Sequence, residues 1–175
     1  SRAYHKLSHE QKQGKFENDP KRHIYIYAKK KKMRAKNFEE LKRGIEEHGN
    51  PVASIRAEGQ GSCHSSAGTN GDMGQLDSTV YLGIGTRVMV TKNQKNQWKL
   101  SNGATGVVIS IVYKPGTAPP CLPLYVVVSV PTYTGPIWDI ANPTHIPVAP
   151  ATSRCDQHNG ACTRTQLPLR ACYAL

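Results

Sequence analysis

Short segments rich in Val, Ile, Thr and Tyr, separated by turn signals, dominate the second half of this 175-residue chain. We predict strands at 87–91, 107–113 and 125–130, because each segment holds β-branched or aromatic residues without internal proline or glycine. The pairs Asn102–Gly103 and Thr105–Gly106 are typical of tight turns. Strands with such short connections bury their apolar faces together, which predicts a small all-β unit.

The same unit continues through proline-rich sequence. A proline-rich connection at 115–123 joins two of the predicted strands. Residues 131–150 carry five prolines, which predicts one or two short edge strands. Residues 151–163 are polar and are predicted to form a loop, and the apolar segment 166–175 returns to a buried element.

Before position 80, helical and extended patterns alternate. We predict a short helix at 8–16 and strands at 23–28 and 52–57. A longer helix is predicted to begin at Asn37 as the N-cap, since Glu40 follows three residues later. Residues 59–75 are rich in Gly, Ser, Asn and Thr and predict a flexible loop. This order predicts an α/β domain with a small β-barrel inserted into it.

The charge of the chain indicates the class of its partner. Lys and Arg number 23 against 12 Asp and Glu, a formal net charge of +11. Residues 1–60 hold 15 of the basic and 8 of the acidic residues. Such a balance favours a polyanion, and no apolar run approaches the roughly 20 residues of a membrane helix. We therefore expect nucleic acid rather than a membrane, with a basic protein that is merely soluble as the alternative.

The cysteines indicate the compartment. Five are present, an odd number at irregular spacing, which favours a reducing environment. We expect the nucleus or the cytoplasm, with the mitochondrion as an alternative. Cys155, His158 and Cys162 have ligand-like spacing, and the fourth ligand would be Cys63, His64, His145 or Cys172. A structural zinc site usually has two close pairs of ligands, so we expect no metal and bystander cysteines.

No catalytic motif occurs in the sequence. A loop that cradles phosphate needs G-x-x-x-x-G-K-[ST], and the glycine pairs at 59–61 and 83–85 lack the Lys-Ser/Thr ending. There is also no G-x-S-x-G elbow and no pattern of paired carboxylates. This chain by itself is expected to position no nucleotide.

Two basic segments are candidates for nucleic-acid binding. The first follows a tyrosine-rich segment and supplies Lys30, Lys31 and Arg34, which would neutralise phosphates. Its alternatives are a solvated charged turn and a nuclear-localisation signal. The second is a loop that carries Lys92, Asn93, Lys95, Trp98 and Lys99.

Trp98 in the second segment would stack a base if it is exposed, while the lysines meet phosphates. The alternative is a tryptophan packed on the barrel among solvated lysines. Asn102, Gly103 and Gly106 are interpreted as structural residues that allow positive φ in tight turns. Arg164, near the return segment, is as well suited to a salt bridge as to a DNA contact.

Four ordered segments resemble Pif-type helicases, the superfamily-one enzymes related to RecD. Residues 82–93 (LGIGTRVMVTKN) resemble the family strand G-x-R-V-M-L-x-x-N, and residues 100–108 (LSNGATGVV) resemble the turn L-V-N-G-x-x-G-x-V. Residues 123–128 (PLYVVV) are similar to P-x-x-V-x-V, and residues 164–175 (RTQLPLRACYAL) are similar to R-x-Q-x-P-L-x-x-A-Y-A. Helitron-type helicases share these patterns.

The resemblance implies part of a second RecA-like domain with an inserted small Src-homology-like β-barrel. Residues 1–80 would begin the RecA-like domain, residues 81–163 would form the barrel, and residues 164–175 would return to the RecA-like domain. The family continues after A-Y-A into T-I-H-K-x-Q-G, so we expect a piece of a longer protein that is inactive alone. A missing N-terminal RecA-like domain would supply the phosphate loop.

The resemblance also implies an activity for the parent protein. This is ATP-dependent 5′-to-3′ unwinding of duplex DNA in repair, recombination or telomere-type maintenance, with ATP and Mg²⁺ as cofactors. Single-stranded DNA or DNA junctions would be the partners. The alternatives are a non-enzymatic nucleic-acid-binding module, a degenerate transposon remnant, or a β-barrel module that binds protein. A steep salt dependence of DNA affinity would argue against the last of these.

Overall fold

A computed structural model describes residues 30–61, 74–155 and 162–173, and these form a mixed α/β fold dominated by antiparallel sheets. A single 3-10 turn, Asn96–Trp98, interrupts the connection between the fourth and fifth strands. The helix and strands in chain order are α1 (Lys30–His48), β1 (Ala53–Arg56), β2 (Glu58–Gln60), β3 (Thr79–Leu82), β4 (Arg87–Val90), β5 (Thr105–Val112), β6 (Tyr125–Ser129), β7 (His145–Val148), β8 (Ala151–Arg154), β9 (Thr163–Gln166) and β10 (Leu169–Ala171).

The strands in the described ranges pair into three sheets. β1 pairs with β3, the order β10-β4-β5-β6-β7 makes a five-stranded sheet, and the order β2-β9-β8 makes a three-stranded sheet. The strands predicted at 87–91, 107–113 and 125–130 are confirmed as β4, β5 and β6. The strand predicted at 52–57 is confirmed as β1, and β7 is a short edge strand within 131–150. These predictions succeeded because β-branched runs bounded by turn residues fit a pleated, half-buried surface.

One apolar core joins the strands on either side of the predicted barrel. In β4, Val88 and Val90 are buried while the intervening Met89 is half-buried, which is the two-residue period of a strand with one face on a core. The buried aliphatic residues that pack together are Ile55, Val80, Leu82, Val88, Val90, Leu100, Val108, Val126, Val128, Val130, Ile146, Val148, Leu167 and Leu169. Each such side chain contributes about 1.5–3 kcal/mol when fully removed from water.

The helix begins earlier than the sequence predicted. α1 spans Lys30–His48, so Asn37 lies inside the helix and the prediction of an N-cap there is wrong. The side chain of Asn37 is buried, and its Oδ1 accepts a hydrogen bond of 2.8 Å from the backbone N–H of Tyr173. Asparagine is typical of caps, so a long-range role for it is invisible in sequence. Gly49 follows the helix with φ of +67°, and its N–H donates to the Ile45 carbonyl at 2.8 Å, as is typical of a helix end.

Two other local predictions are corrected. The polar loop predicted at 151–163 is wrong in its first part, because Ala151–Arg154 forms β8 and pairs with β9. The turn predicted at Thr105–Gly106 is wrong, because both residues begin β5. β2 occupies the start of the loop predicted at 59–75, and residues 62–73 lie outside the described residues. The helix predicted at 8–16 and the strand predicted at 23–28 also lie outside them.

The hydrogen bonds among the described strands leave the sheets open, so they do not form a closed barrel. The division into residues 1–80, 81–163 and 164–175 stays a prediction. In the parts of the chain that the structure describes, α1 is too polar to cross a membrane.

Candidate nucleic-acid interface

The connection between β4 and β5 presents the second basic segment on an ordered scaffold. A bridge between Lys95 and Leu100 closes a small loop around the 3-10 turn. Lys99 ends that turn in the left-handed conformation, with φ of +56°, and the buried Leu100 anchors the loop in the core. Gly103 has φ of +94°, and its N–H donates to the Val90 carbonyl at 2.9 Å. The loop is therefore fixed at both ends.

The side chains of Lys92 and Asn93 have partners within the protein. The Lys92 ammonium donates to the Thr152 carbonyl at 3.1 Å and to Ser153 Oγ at 2.9 Å, which links the loop to β8. Asn93 Oδ1 accepts the Asn102 N–H at 2.8 Å across the hairpin. These hydrogen bonds fix the positions of both side chains and give them a role in the structure of the loop.

The Trp98 ring is half-buried between two neighbours. Its ring meets the Tyr133 ring edge to face with centroids 6.5 Å apart, and the Lys95 ammonium lies 5.5 Å from its centroid. Gly135 permits this packing, since a Cβ there would lie 2.7 Å from Trp98 Cγ. Lys95 and Lys99 are exposed. The structure therefore brings an aromatic face and two solvated ammonium groups together at this loop, with one side of the ring packed on the protein.

A second aromatic feature, which the sequence analysis did not single out, lies in the connection between β6 and β7. Trp138 is 58% exposed, and its ring meets the Tyr125 ring edge to face at 6.2 Å. Its neighbours Ile137 and Ile140 are 60% and 91% exposed. The only signal in the sequence was a tryptophan close to two isoleucines in a proline-rich stretch.

Asp139 orders the turn that follows Trp138. A hydrogen bond of 2.9 Å from Asn142 Nδ2 and one of 3.0 Å from the Ala141 N–H favour the charged carboxylate. These hydrogen bonds lower the pKa of Asp139 below its usual value of 3.8. The carboxylate is charged at neutral pH and accepts both hydrogen bonds of this turn.

The first basic segment lies at the start of α1. Lys31 is exposed, and Lys30 is the first residue of the helix. No acidic residue in the first turn offsets the positive end of the helix dipole, and these lysines add further positive charge there. Arg34 is half-exposed and lies 3.8 Å from Asp77. Lys36 pairs with neighbouring acids on the helix; burial alone would lower its pKa, but hydrogen bonds to Glu40 and Glu39 raise it.

A cleft of about 350 Å³ separates α1 from β3 and β10. Its walls include Phe38 and Tyr81, whose rings meet edge to face at 5.7 Å. Arg170 makes a bidentate pair with Asp77, at 2.7 and 3.0 Å, on the same wall. Asp77 compensates part of the positive charge of Arg34 and Arg170 in this cleft, so we rank it below the exposed lysines as an anion site.

The three predicted turn residues have different roles. Gly103 has positive φ, as expected, whereas neither Asn102 nor Gly106 does. The interpretation of Gly106 as a turn residue is wrong: it lies in β5, where a Cβ would collide with the Ser129 carbonyl and approach Val128 Cγ1 to 2.7 Å. Close approach of strands, not backbone conformation, requires glycine there.

Arg164 is fully buried, and its Nη1 donates to the Leu76 carbonyl at 2.8 Å. This contact gives it a structural role inside the protein. No cluster of three or more His, Cys, Asp or Glu side chains suited to a metal occurs among the described residues, and His158, which has ligand-like spacing from Cys155 and Cys162, lies outside them.

Comparison with known proteins gives a fold and no closer relation. No protein-family model and no curated protein matches the chain. Among solved structures, the chain is similar to the Pif1 helicase from Candida albicans, with 18% identity, a TM-score of 0.61, and coverage of 87% of this chain and 35% of that one. It is also similar to Pif1 helicases studied in DNA unwinding at forked double-stranded DNA, with 18% identity, a TM-score of 0.58, and coverage of 87% and 28%.

A third similar structure is Pif1 from Bacteroides in complex with ADP-AlF3 and single-stranded DNA, with 17% identity, a TM-score of 0.54, and coverage of 87% and 30%. The described fold is thus similar to part of the fold of these helicases. More particularly, it matches part of Pif1 helicases, which confirms at the level of fold the resemblance found in the sequence. The chain spans about a third of the length of these solved chains.

Proposed function

We propose that this chain is part of an ATP-dependent DNA helicase and that it contributes binding of single-stranded DNA. The observation that carries the proposal is the fold likeness to Pif1 helicases over 87% of the chain. Two of these proteins are described with forked double-stranded DNA and with single-stranded DNA. The net charge of +11 and the exposed lysines of the β4–β5 connection support the same partner.

ATP and Mg²⁺ are proposed as cofactors of the parent protein only. The sequence of this chain contains no G-x-x-x-x-G-K-[ST] loop, and the residues that the structure describes offer no carboxylate cluster for a metal ion. These residues do not fit a nucleotide, so hydrolysis would depend on residues of the parent outside this sequence, including an N-terminal RecA-like domain. We propose that the chain alone does not hydrolyse ATP, and that 5′-to-3′ unwinding in DNA maintenance in the nucleus or cytoplasm belongs to the parent.

At the residue level, we propose that Lys95 and Lys99 contact phosphates and that Trp98 offers its ring edge or exposed face to a base. Phosphate contacts would dominate, because solvated ammonium groups release counterions when they meet a polyanion. Lys31 and Arg34 at the start of α1 form a second positive surface. Lys92 and Asn93 stay predicted contacts, and their hydrogen bonds within the protein would also hold the loop in place.

Binding of a fluorescent oligothymidine at several salt concentrations tests this proposal. We expect affinity to fall steeply with salt, and the double variant Lys95→Ala/Lys99→Ala to reduce the logarithmic slope by about 1.4, since each single-strand phosphate contact contributes about 0.7. Lys114→Ala is the matched control, because Lys114 is an exposed lysine on a different connection. The slope for Lys114→Ala should stay near that of the unsubstituted chain, apart from a small change caused by the loss of one unit of net positive charge.

Salt-independent binding, or no binding, would remove the DNA-binding part of the proposal. An equal loss in the double variant and in Lys114→Ala would show that net charge and not this loop is responsible. The helicase part has a separate test, which is the native transcript read in both directions from this segment. A phosphate loop upstream and His-Lys-x-Gln-Gly downstream would support it, and stop codons at both ends would leave a nucleic-acid-binding module.

A further inference from the structure

Two cysteines face each other at one end of the three-stranded sheet. The register of the β8–β9 hairpin pairs Arg154 with Thr163, so the next position outward places Cys155 opposite Cys162. The backbone confirms this pairing, because the Cys155 N–H donates to the Cys162 carbonyl at 2.9 Å. The two residues thus extend the ladder by one antiparallel pair.

The geometry of this pair suits a disulfide. Cα atoms of hydrogen-bonded antiparallel pairs are about 5.5 Å apart, and disulfides join Cα atoms that are most often about 5.5–6 Å apart. Both side chains point to the same face, because opposite residues in a ladder always do. Cys155 and Cys162 are 2% and 4% exposed and pack together as a buried cluster separate from the main core.

The neighbouring strand leaves room for the sulfur atoms. β2 pairs Gln60 with Thr163, which places Gly61 beside Cys162. A Cβ at Gly61 would collide with Cys162 Sγ and approach its Cα to 3.1 Å. Gly61 also has φ of +80°, so two independent features favour glycine at the position that covers this thiol.

We infer that Cys155 and Cys162 are a redox site that a small-molecule disulfide, such as oxidised glutathione, converts reversibly to an intramolecular disulfide. One protein thiolate attacks a sulfur of the reagent, forms a mixed disulfide and releases one thiol. The second protein thiolate then attacks the protein sulfur of that mixed disulfide and releases the other thiol. The protein loses two electrons and two protons, and the reagent is reduced to two thiols. The inference does not depend on the proposed helicase function.

The consequence of oxidation would be a hairpin locked at its end. The β8 strand that the disulfide would fix also receives the Lys92 ammonium, at the Thr152 carbonyl and Ser153 Oγ. Oxidation would therefore stiffen the support of the basic β4–β5 connection. Because both thiols are buried, the reagent reaches them only when the last pair of the ladder opens, so oxidation should be slow compared with that of the exposed Cys121.

Peptide mapping of the full chain tests this inference directly. Trypsin cuts after Arg154 and Arg164 and releases residues 155–164, which contain both cysteines and no other. After incubation with oxidised glutathione and then with an alkylating reagent, we expect this peptide to be lighter by two hydrogen atoms and to carry no alkyl group. Reduction before alkylation should restore two alkyl groups, while the peptide that contains Cys121 should show only a glutathione adduct.

A thermal measurement gives the second readout. Closing the short loop between the two cysteines should raise Tm by roughly 5–10 °C in the oxidised chain. Cys155→Ser and Cys162→Ser should each abolish this rise, and Cys121→Ser should keep it. Reading the rise as a difference between oxidised and reduced samples of one variant removes any effect of the substitution on folding.

Three results would overturn the inference. The first is that Cys155 and Cys162 are both still alkylated after the chain has been incubated with oxidised glutathione in mild denaturant, under conditions in which Cys121 has reacted fully with glutathione. The second is a disulfide that joins either residue to a different cysteine. The third is stoichiometric zinc in the purified chain that Cys155→Ser removes, since the pair would then belong to a metal site.

Discussion

Glycine at position 106 and glycine at position 103 are required for different physical reasons. Gly103 has φ of +94° with open space where a Cβ would lie, so glycine is required there for its backbone conformation. Gly106 lies in β5 against the Ser129 carbonyl of β6, so glycine is required there because a side chain would not fit. The sequence shows the same letter at both places and cannot separate the two roles.

We expect Gly106→Ala to lower the free energy of unfolding by about 1–3 kcal/mol, because a Cβ meets backbone that cannot rotate away. Gly44→Ala is the matched control. Gly44 is inside α1, and a Cβ added there would meet nothing within 4 Å, so alanine should raise stability by about 0.5–1 kcal/mol. Urea titration of both variants measures the difference. Equal effects of the two substitutions would contradict the steric argument.

The residue types in the sequence indicated where a basic loop lies. They did not indicate which of its lysine side chains are exposed to a ligand. Lys92 looked like its neighbours Lys95 and Lys99 in the sequence. Its partners Thr152 and Ser153 lie about sixty residues away along the chain, and no local pattern encodes such a contact. Lys95 and Lys99 stay exposed, so they are the more available of the three, and their role in DNA binding remains a prediction.

At the scale of elements, local sequence patterns identified the strands with strong β propensity. They missed a polar strand that forms because it pairs with a neighbouring strand. β4, β5 and β6 are rich in valine and isoleucine and were predicted. β8 has the sequence Ala-Thr-Ser-Arg, which is polar, and it is a strand because β9 offers an edge with matching hydrogen bonds. The helix start was missed because a run of lysines carries no capping signal.

Asp77, which lies just before β3, joins two elements: it is paired bidentately with Arg170 of β10 and lies near Arg34 of α1. The side chains of Asp77 and Arg170 are only 15% and 23% exposed. Asp77→Asn should therefore lower the free energy of unfolding by about 1–3 kcal/mol, because a partly buried guanidinium loses its charged acceptor.

Glu47→Gln is the control for this prediction, measured in the same thermal or urea titrations. Glu47 forms a 3.6 Å pair with Arg43, and both side chains are more than half exposed. Screening by solvent should limit its effect to about 0.5 kcal/mol. If the two variants lose the same small amount, Asp77 does not link the helix to the sheets.

At the scale of the whole molecule, the long-range pairings were beyond the sequence patterns. The segments predicted as the RecA-like portion and as the inserted barrel share one core, which includes Ile55 and Val80 before position 81 and Leu167 after position 163. Hydrophobic periodicity predicts which face of a strand is buried, and it contains no information about which strand lies opposite. The α/β class followed from the order of elements, and the arrangement of sheets did not.

This shared core predicts that the described strands unfold together. Ile55 is fully buried in β1, and Ile55→Ala should lower the free energy of unfolding by about 2–5 kcal/mol, since it removes apolar contacts and leaves a cavity. Both tryptophans, Trp98 and Trp138, lie within residues 81–163, so their fluorescence reports on the predicted insert. If the core is one cooperative unit, the fluorescence midpoint in urea should fall together with the circular-dichroism midpoint.

Ile140→Ala, at a side chain that is 91% exposed, should leave both midpoints nearly unchanged. A fluorescence midpoint that stays in place while the circular-dichroism midpoint falls would show instead that residues 81–163 fold independently, as a true inserted domain would.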